Sequence, residues 1–79
     1  MEIKILGTGC PRCKKLEQMT WNAAAELNIT ADISKVDDIY KIMSYGIMHT
    51  PGLVINGKVV LSGRLPSTGE LKQLILNNQ

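Results

Sequence analysis

The stretch Cys10-Pro11-Arg12-Cys13 decides how this chain folds and which chemistry it can perform. It holds both cysteines of the 79-residue chain and follows a short apolar run and a glycine-rich loop. Side chains three positions apart on a helix are neighbours, so the two sulfur atoms can close a ring with little backbone movement. A thiol at a helix start also lies beside unpaired N–H groups, which stabilise its thiolate. The stretch therefore predicts a redox-active pair, although some metal sites share this spacing.

Composition and charge exclude several functional classes. Nine basic and seven acidic residues are dispersed along the sequence, and the chain has one tryptophan and two tyrosines. Such a chain offers neither a basic patch nor a stacking platform for nucleic acid. No apolar run approaches the length of a membrane span, and the mixed-charge start at Met1–Lys4 differs from a secretion signal. We therefore expect a cytoplasmic protein, and in that reducing compartment a cysteine pair is more often catalytic or metal-binding than structural.

Hydrophobic periodicity predicts seven elements in the order β-α-β-α-β-β-α. They are a strand over Met1–Leu6, a helix over about Pro11–Leu27, a strand over Ile29–Ser34, a short helix carrying Ile39, Ile42 and Met43, strands over Leu53–Ile55 and Lys58–Leu61, and a helix carrying Leu71, Leu74 and Ile75. Met19, Met43 and Met48 are expected to fill the core rather than to bind a metal. Asp37 or Asp38 is expected to cap the short helix, and Ser67 and Glu70 form a capping-box pattern before the last one.

The connections between these elements predict the topology. A crossover helix between the first two strands makes them parallel, with a right-handed connection. Asn56-Gly57 is a strong hairpin signal and makes the last two strands antiparallel. We expect a four-stranded mixed sheet with helices on both faces, an α/β architecture in which residues 1–79 form a single domain.

This arrangement resembles the thioredoxin-like fold, and within it the small redox-active disulfide proteins of archaea and bacteria. The resemblance covers nearly the whole chain. The pieces that carry it are the opening strand, Gly7-Thr8-Gly9 with the cysteine motif, Thr50-Pro51-Gly52, the Asn56-Gly57 hairpin, and Gly63-Arg64 before the final helix. In this order and spacing the pieces are more specific than any one of them alone.

The resemblance implies a thiol–disulfide oxidoreductase that reduces protein disulfides and is recharged by a donor resembling thioredoxin reductase. In this interpretation Cys10 is the attacking thiol at the exposed edge of the helix, and Cys13 resolves the mixed disulfide. Pro11, Arg12, Thr50 and Pro51 are the candidate substrate-binding residues, and the Thr50–Pro51 bond is expected to be cis. Neither a cofactor nor a metal is expected; a complete zinc site would need four ligands, and the chain offers only three plausible ones.

Two other functions remain open at this point. A soft-metal carrier also places two cysteines at a loop–helix junction, where two thiolates suit Cu(I). The predicted helical ending and Pro11 within the motif count against it. The second alternative is a redox-sensing interaction domain, in which disulfide formation switches a binding surface. His49 is a possible third ligand or proton shuttle, and Lys4 either acts on Cys13 or extends its amine to solvent.

Overall fold

The computed structural model describes residues 1–79, and the predicted order of seven elements is confirmed. The elements are β1 (Glu2–Leu6), α1 (Pro11–Glu26), β2 (Asp32–Val36), α2 (Ile39–Ser44), β3 (Gly52–Ile55), β4 (Lys58–Ser62) and α3 (Thr68–Asn77). None of the three helices combines the length and apolar character needed to cross a lipid bilayer.

The four strands form one mixed sheet in the order β2-β1-β3-β4. Strand β1 is parallel to β2 and antiparallel to β3, which is antiparallel to β4. The register places Leu6 opposite Gly52, and Gly52 opposite Ser62. The segments that follow β1, precede β3 and follow β4 therefore meet at one edge of the sheet. This edge receives the Cys10–Cys13 motif, Thr50–Pro51 and Gly63–Arg64.

The core lies in two layers, one on each face of the sheet. The larger cluster joins β1, β3 and β4 to α1 and α3, and it contains Leu16, Leu71 and Ile75, all with 0% exposure. A smaller cluster on the opposite face includes Ile42 of α2 and Ile47. Because inward positions alternate along β1, this strand contributes to both layers. The predicted mixed sheet with helices on both faces is confirmed.

The second strand begins later than predicted. The alternation of Ile29, Ala31 and Ile33 placed its start near Ile29, but β2 begins at Asp32. Ile29 donates its N–H to the Ala24 carbonyl at 3.0 Å, so it belongs to the turn that closes α1, in which Asn28 has a left-handed φ of 56°. The strand ladder starts where Asp32 donates its N–H to Met1 at 2.8 Å.

The short helix α2 buries less than its pattern predicted. Asp38 caps this helix by accepting a hydrogen bond from the Tyr40 N–H at 2.9 Å. Of the two predicted capping residues, Asp37 and Asp38, the second is therefore confirmed. Only Ile42 is buried, whereas Ile39 and Met43 are 50% and 61% exposed. A helix of six residues makes fewer than two turns, and only one of its apolar positions is covered by the sheet. The expectation that Met43 fills the core is wrong.

Candidate active site

The two cysteines lie at the start of α1, where the sequence placed them. Their sulfur atoms are bonded, and their Cα atoms are 5.0 Å apart, within the usual disulfide range. Cys10 is the N-cap residue, and its sulfur accepts the backbone N–H of Cys13 at 3.2 Å. Pro11 occupies the first turn, where its missing N–H leaves no bond unmade. The helix start thus holds one sulfur against an otherwise unpaired donor.

The two sulfur-bearing residues differ in their access to solvent. Cys10 is half-buried at the edge of the sheet, whereas Cys13 is 4% exposed. A second molecule approaching along the helix axis therefore meets Cys10 first. This difference fits unequal roles for the two thiols in disulfide exchange.

Gly7 is a site residue whose role sequence reasoning missed. It is buried, and a Cβ atom built on it would lie 2.5 Å from the Cys13 sulfur and 2.7 Å from the Cys13 Cβ. Its N–H donates to Val36 at 3.0 Å, which fixes the backbone at this point. Gly7 therefore lets the end of β1 pack directly against Cys13. Its position between a buried strand and a helix is the signal that was available, because glycine often marks close backbone approach.

The segment Thr50–Pro51 lies beside the loop that precedes the motif. The antiparallel register of β1 and β3, continued one step beyond Leu6 and Gly52, places Pro51 alongside Gly7. The Thr50–Pro51 peptide bond is cis, which confirms the expectation drawn from the resemblance. Pro51 is buried, and its carbonyl accepts the Gly63 N–H at 2.9 Å. Thr50 is half-buried at the surface of this edge.

An apolar groove of about 430 Å³ adjoins this edge of the sheet. It reaches from Thr8 in the motif loop to Thr50, along α2 and the segment that follows it. Its walls include the exposed side chains of Met43 and Met48 and the half-exposed Ile39. Met43 and Met48 were both expected to fill the core, which is why the sequence did not indicate this groove. For Met48, which is 91% exposed, that expectation is wrong as well.

The three other candidate residues, Arg12, Lys4 and His49, form no hydrogen bond with either sulfur atom, whose one hydrogen bond comes from the Cys13 N–H. Arg12 is exposed in the first turn of α1 and makes no ion pair. The Lys4 amine lies 3.8 Å from the Glu2 carboxylate, so it is directed to an exposed partner. His49 is exposed and packs over Gly63. No three His, Cys, Asp or Glu side chains cluster as metal ligands, so His49 does not complete a site with the cysteines.

Arg64 and Glu70 form a fork-shaped ion pair beside the site. The two terminal guanidinium nitrogens of Arg64 each donate to one oxygen of the Glu70 carboxylate, Nη1 at 2.8 Å. These hydrogen bonds hold the pKa of Glu70 below its ordinary value and raise that of Arg64. Ser67 caps α3 by accepting the Glu70 N–H at 3.2 Å, so half of the predicted capping box forms. The reciprocal half is wrong, because the Glu70 side chain binds Arg64 instead.

The ion pair predicts a pH-dependent contribution to stability. Because the pKa of Glu70 is depressed in the folded protein, the pair stabilises it above the ordinary carboxyl value of 4.5. This contribution is lost as the pH falls through the depressed value. A double-mutant cycle of Arg64→Gln and Glu70→Gln, measured by urea unfolding, should show favourable coupling at neutral pH. Coupling that persisted unchanged in strong acid would contradict this assignment, and added salt should weaken it because the pair is exposed.

Comparisons with known proteins give a consistent picture. The profile of the thioredoxin domain family matches residues 1–76. A thioredoxin of Methanothermobacter thermautotrophicus is 36% identical over 75 residues, covering 95% of this chain and 97% of the relative. A thioredoxin of Methanocaldococcus jannaschii is 38% identical over 71 residues, covering 90% of this chain and 81% of the relative. A probable thioredoxin of Archaeoglobus fulgidus is 36% identical over 69 residues, or 84% of this chain and 75% of that protein.

Proposed function

Because this chain belongs to the thioredoxin family, we propose that it reduces protein disulfides, with Cys10 as the attacking thiol and Cys13 as the resolving thiol. The protein is a thiol–disulfide oxidoreductase, and its partners are disulfide-containing proteins and a reductase that supplies electrons. We propose that the donor resembles thioredoxin reductase, that the protein works in the reducing cytoplasm, and that residues 1–79 act as one domain.

The observation that carries this assignment is the asymmetry of the cysteine pair. Cys10 caps the helix, accepts a backbone N–H and is partly open to solvent, while Cys13 is buried one turn inside. The helix start favours the charged form of a thiol placed there. In the first step the Cys10 thiolate attacks a substrate sulfur, and the other substrate sulfur leaves as a thiolate. Cys13 then attacks Cys10, its thiol proton is released, and the second substrate thiolate departs with the electron pair.

Substrate positioning is proposed for four further residues. Pro11 and Arg12 are exposed beside Cys10, where they can contact the backbone or charges of an incoming chain. Thr50 and Pro51 share the same sheet edge, and the backbone of Thr50 can pair with an extended segment, as in strand addition. The adjoining apolar groove can receive hydrophobic side chains that flank the substrate disulfide.

The decisive comparison for this function is between catalytic turnover and metal affinity. We expect the reduced protein to reduce a model protein disulfide at a rate proportional to its concentration, with a chemical dithiol as the recharging reductant. Its affinity for Cu(I), measured by competition with a chromogenic chelator, should be no greater than that of a short peptide containing the same four-residue motif. Negligible turnover with tight Cu(I) binding would favour a metal carrier. Negligible turnover with weak binding would favour a redox-sensing domain.

A further inference from the structure

A small cavity of about 80 Å³ lies behind Cys13. It is enclosed by α1, the ends of β1 and β2, and the loop before the motif. Besides Cys13, the titratable groups that line it are Lys14 and Glu17 from α1, Lys35 from β2, and Asp37 from the segment after β2. Lys35 stands opposite Ile5 in the β1–β2 register, so both residues belong to the face that α1 covers. The volume is sufficient for water molecules to reach the buried thiol.

Glu17 is the unusual group in this cavity. It follows Cys13 by four positions on α1, so the two side chains share one face of the helix. Its Oε2 atom is the only buried side-chain nitrogen or oxygen in residues 1–79 without a hydrogen-bond partner. The Lys35 amine lies 3.6 Å from that oxygen, close enough to attract it but beyond a hydrogen bond. The Glu17 side chain is nevertheless 30% exposed, so it also has a route to solvent.

We infer that Glu17 accepts the proton that Cys13 releases when Cys13 resolves the mixed disulfide. This inference rests on the proposed function, because it assigns a partner to the thiol proposed to act second. Cys13 needs such a partner more than Cys10 does. Cys10 caps the helix and receives an N–H, whereas Cys13 is 4% exposed, and burial disfavours a charged thiolate. A carboxylate oxygen with no other donor, facing the same cavity, fits that need.

The proposed step is balanced without any further reagent. The Cys13 sulfur forms a bond to the Cys10 sulfur, and the bond between Cys10 and the substrate sulfur breaks. The substrate sulfur leaves as a thiolate with the electron pair of that bond. The proton of the Cys13 thiol passes through water in the cavity to the Glu17 carboxylate, which releases it to solvent through its exposed side. Lys35 is a positioning residue here, because its charge keeps the Glu17 carboxylate turned towards the cavity.

Asp37 also lines the cavity and provides the matched control. It is an exposed residue directly after β2, and its oxygens are not among the buried unpaired atoms. Glu17→Gln keeps the shape of the side chain and removes its ability to accept a proton. Asp37→Asn makes the equivalent change at the exposed rim. Glu17→Asp retains a carboxylate on the same face of α1.

Stopped-flow reaction of the reduced protein with an aromatic disulfide that releases a coloured thiolate separates the two steps. The first release reports attack by Cys10, and the second reports attack by Cys13 on the mixed disulfide. Glu17→Gln should slow the second phase by roughly a hundredfold at neutral pH, the lower end of what a positioned base contributes. The first phase should not change. The difference should shrink as the pH rises, since hydroxide then removes the Cys13 proton directly.

The controls make the outcome decisive. Asp37→Asn should leave both phases unchanged, and Glu17→Asp should recover part of the second-phase rate. Coincident pH profiles of the second phase for wild type and Glu17→Gln would overturn the inference, as would equal slowing by Asp37→Asn. An error in the proposed function itself would give a different result. If Cys10 is not the attacking thiol, the first phase would survive in Cys10→Ser, whatever the behaviour of the Glu17 variants.

Discussion

Replacement of Cys10 by serine is expected to reduce protein disulfide reduction to the background of the chemical reductant alone. Serine keeps the size of the side chain and its place at the helix N-cap, where a hydroxyl accepts the N–H of a later residue well. The fold should therefore persist, which a comparison of far-ultraviolet circular dichroism will show. What is lost is the thiolate, which is the nucleophile in disulfide exchange.

Cys13→Ser is the matched variant for this experiment. It retains the thiol proposed to attack but lacks the one proposed to release the substrate, so a stable mixed disulfide should accumulate through Cys10. Non-reducing electrophoresis and mass spectrometry of the complex measure this directly. Full activity of both variants would contradict the roles assigned to the two cysteines. Accumulation of the complex in Cys10→Ser instead would reverse them.

Gly7→Ala is expected to impair both stability and turnover. The added Cβ would lie 2.5 Å from the Cys13 sulfur, so either the end of β1 or the start of α1 must move. Movement of β1 is opposed by the Gly7 N–H bond to Val36 and by the buried surroundings. Overpacking of this kind costs about 1–3 kcal/mol. Since the displaced atom is the sulfur proposed to resolve the mixed disulfide, turnover should fall as well.

Urea unfolding and the reductase assay test Gly7→Ala against Gly69→Ala. A Cβ on Gly69, in the first turn of α3, would meet no atom within 4 Å, so that variant should match or slightly exceed wild-type stability. Gly7 has no left-handed φ, so any loss of stability in Gly7→Ala comes from the added Cβ and not from backbone strain. If Gly7→Ala unfolds at the wild-type urea concentration and turns over at the wild-type rate, the close packing inferred here is wrong.

The sequence was most informative where a short local pattern is compatible with only one local structure. Two cysteines after an apolar strand predicted a redox pair at a helix start, and both lie there, bonded to each other. The Asn56-Gly57 pair predicted the hairpin, and both residues adopt the left-handed φ that a tight turn requires, 50° and 83°. The crossover between the first two strands then left little freedom in the sheet order.

Features that depend on tertiary neighbours were not accessible in the same way. The close approach of Gly7 to Cys13 depends on where β1 ends relative to α1, which no local pattern records. Periodicity placed Met43 in the core, but α2 is too short to cover it. The Glu70 side chain matched a capping box, yet a better charged partner, Arg64, lay across the loop. The first and third of these features depend on a contact outside the local pattern, and the second depends on the length of the helix.

The most direct test of the central claim is a redox titration of the Cys10–Cys13 couple in dithiol buffers, read by alkylation of free thiols. We predict that both thiols disappear together in one reversible two-electron transition, with a potential of about −270 mV, as in a reducing thioredoxin. A potential of about −120 mV would make the protein an oxidant and contradict the proposed direction. Thiols that remain free in every buffer would contradict the redox function itself.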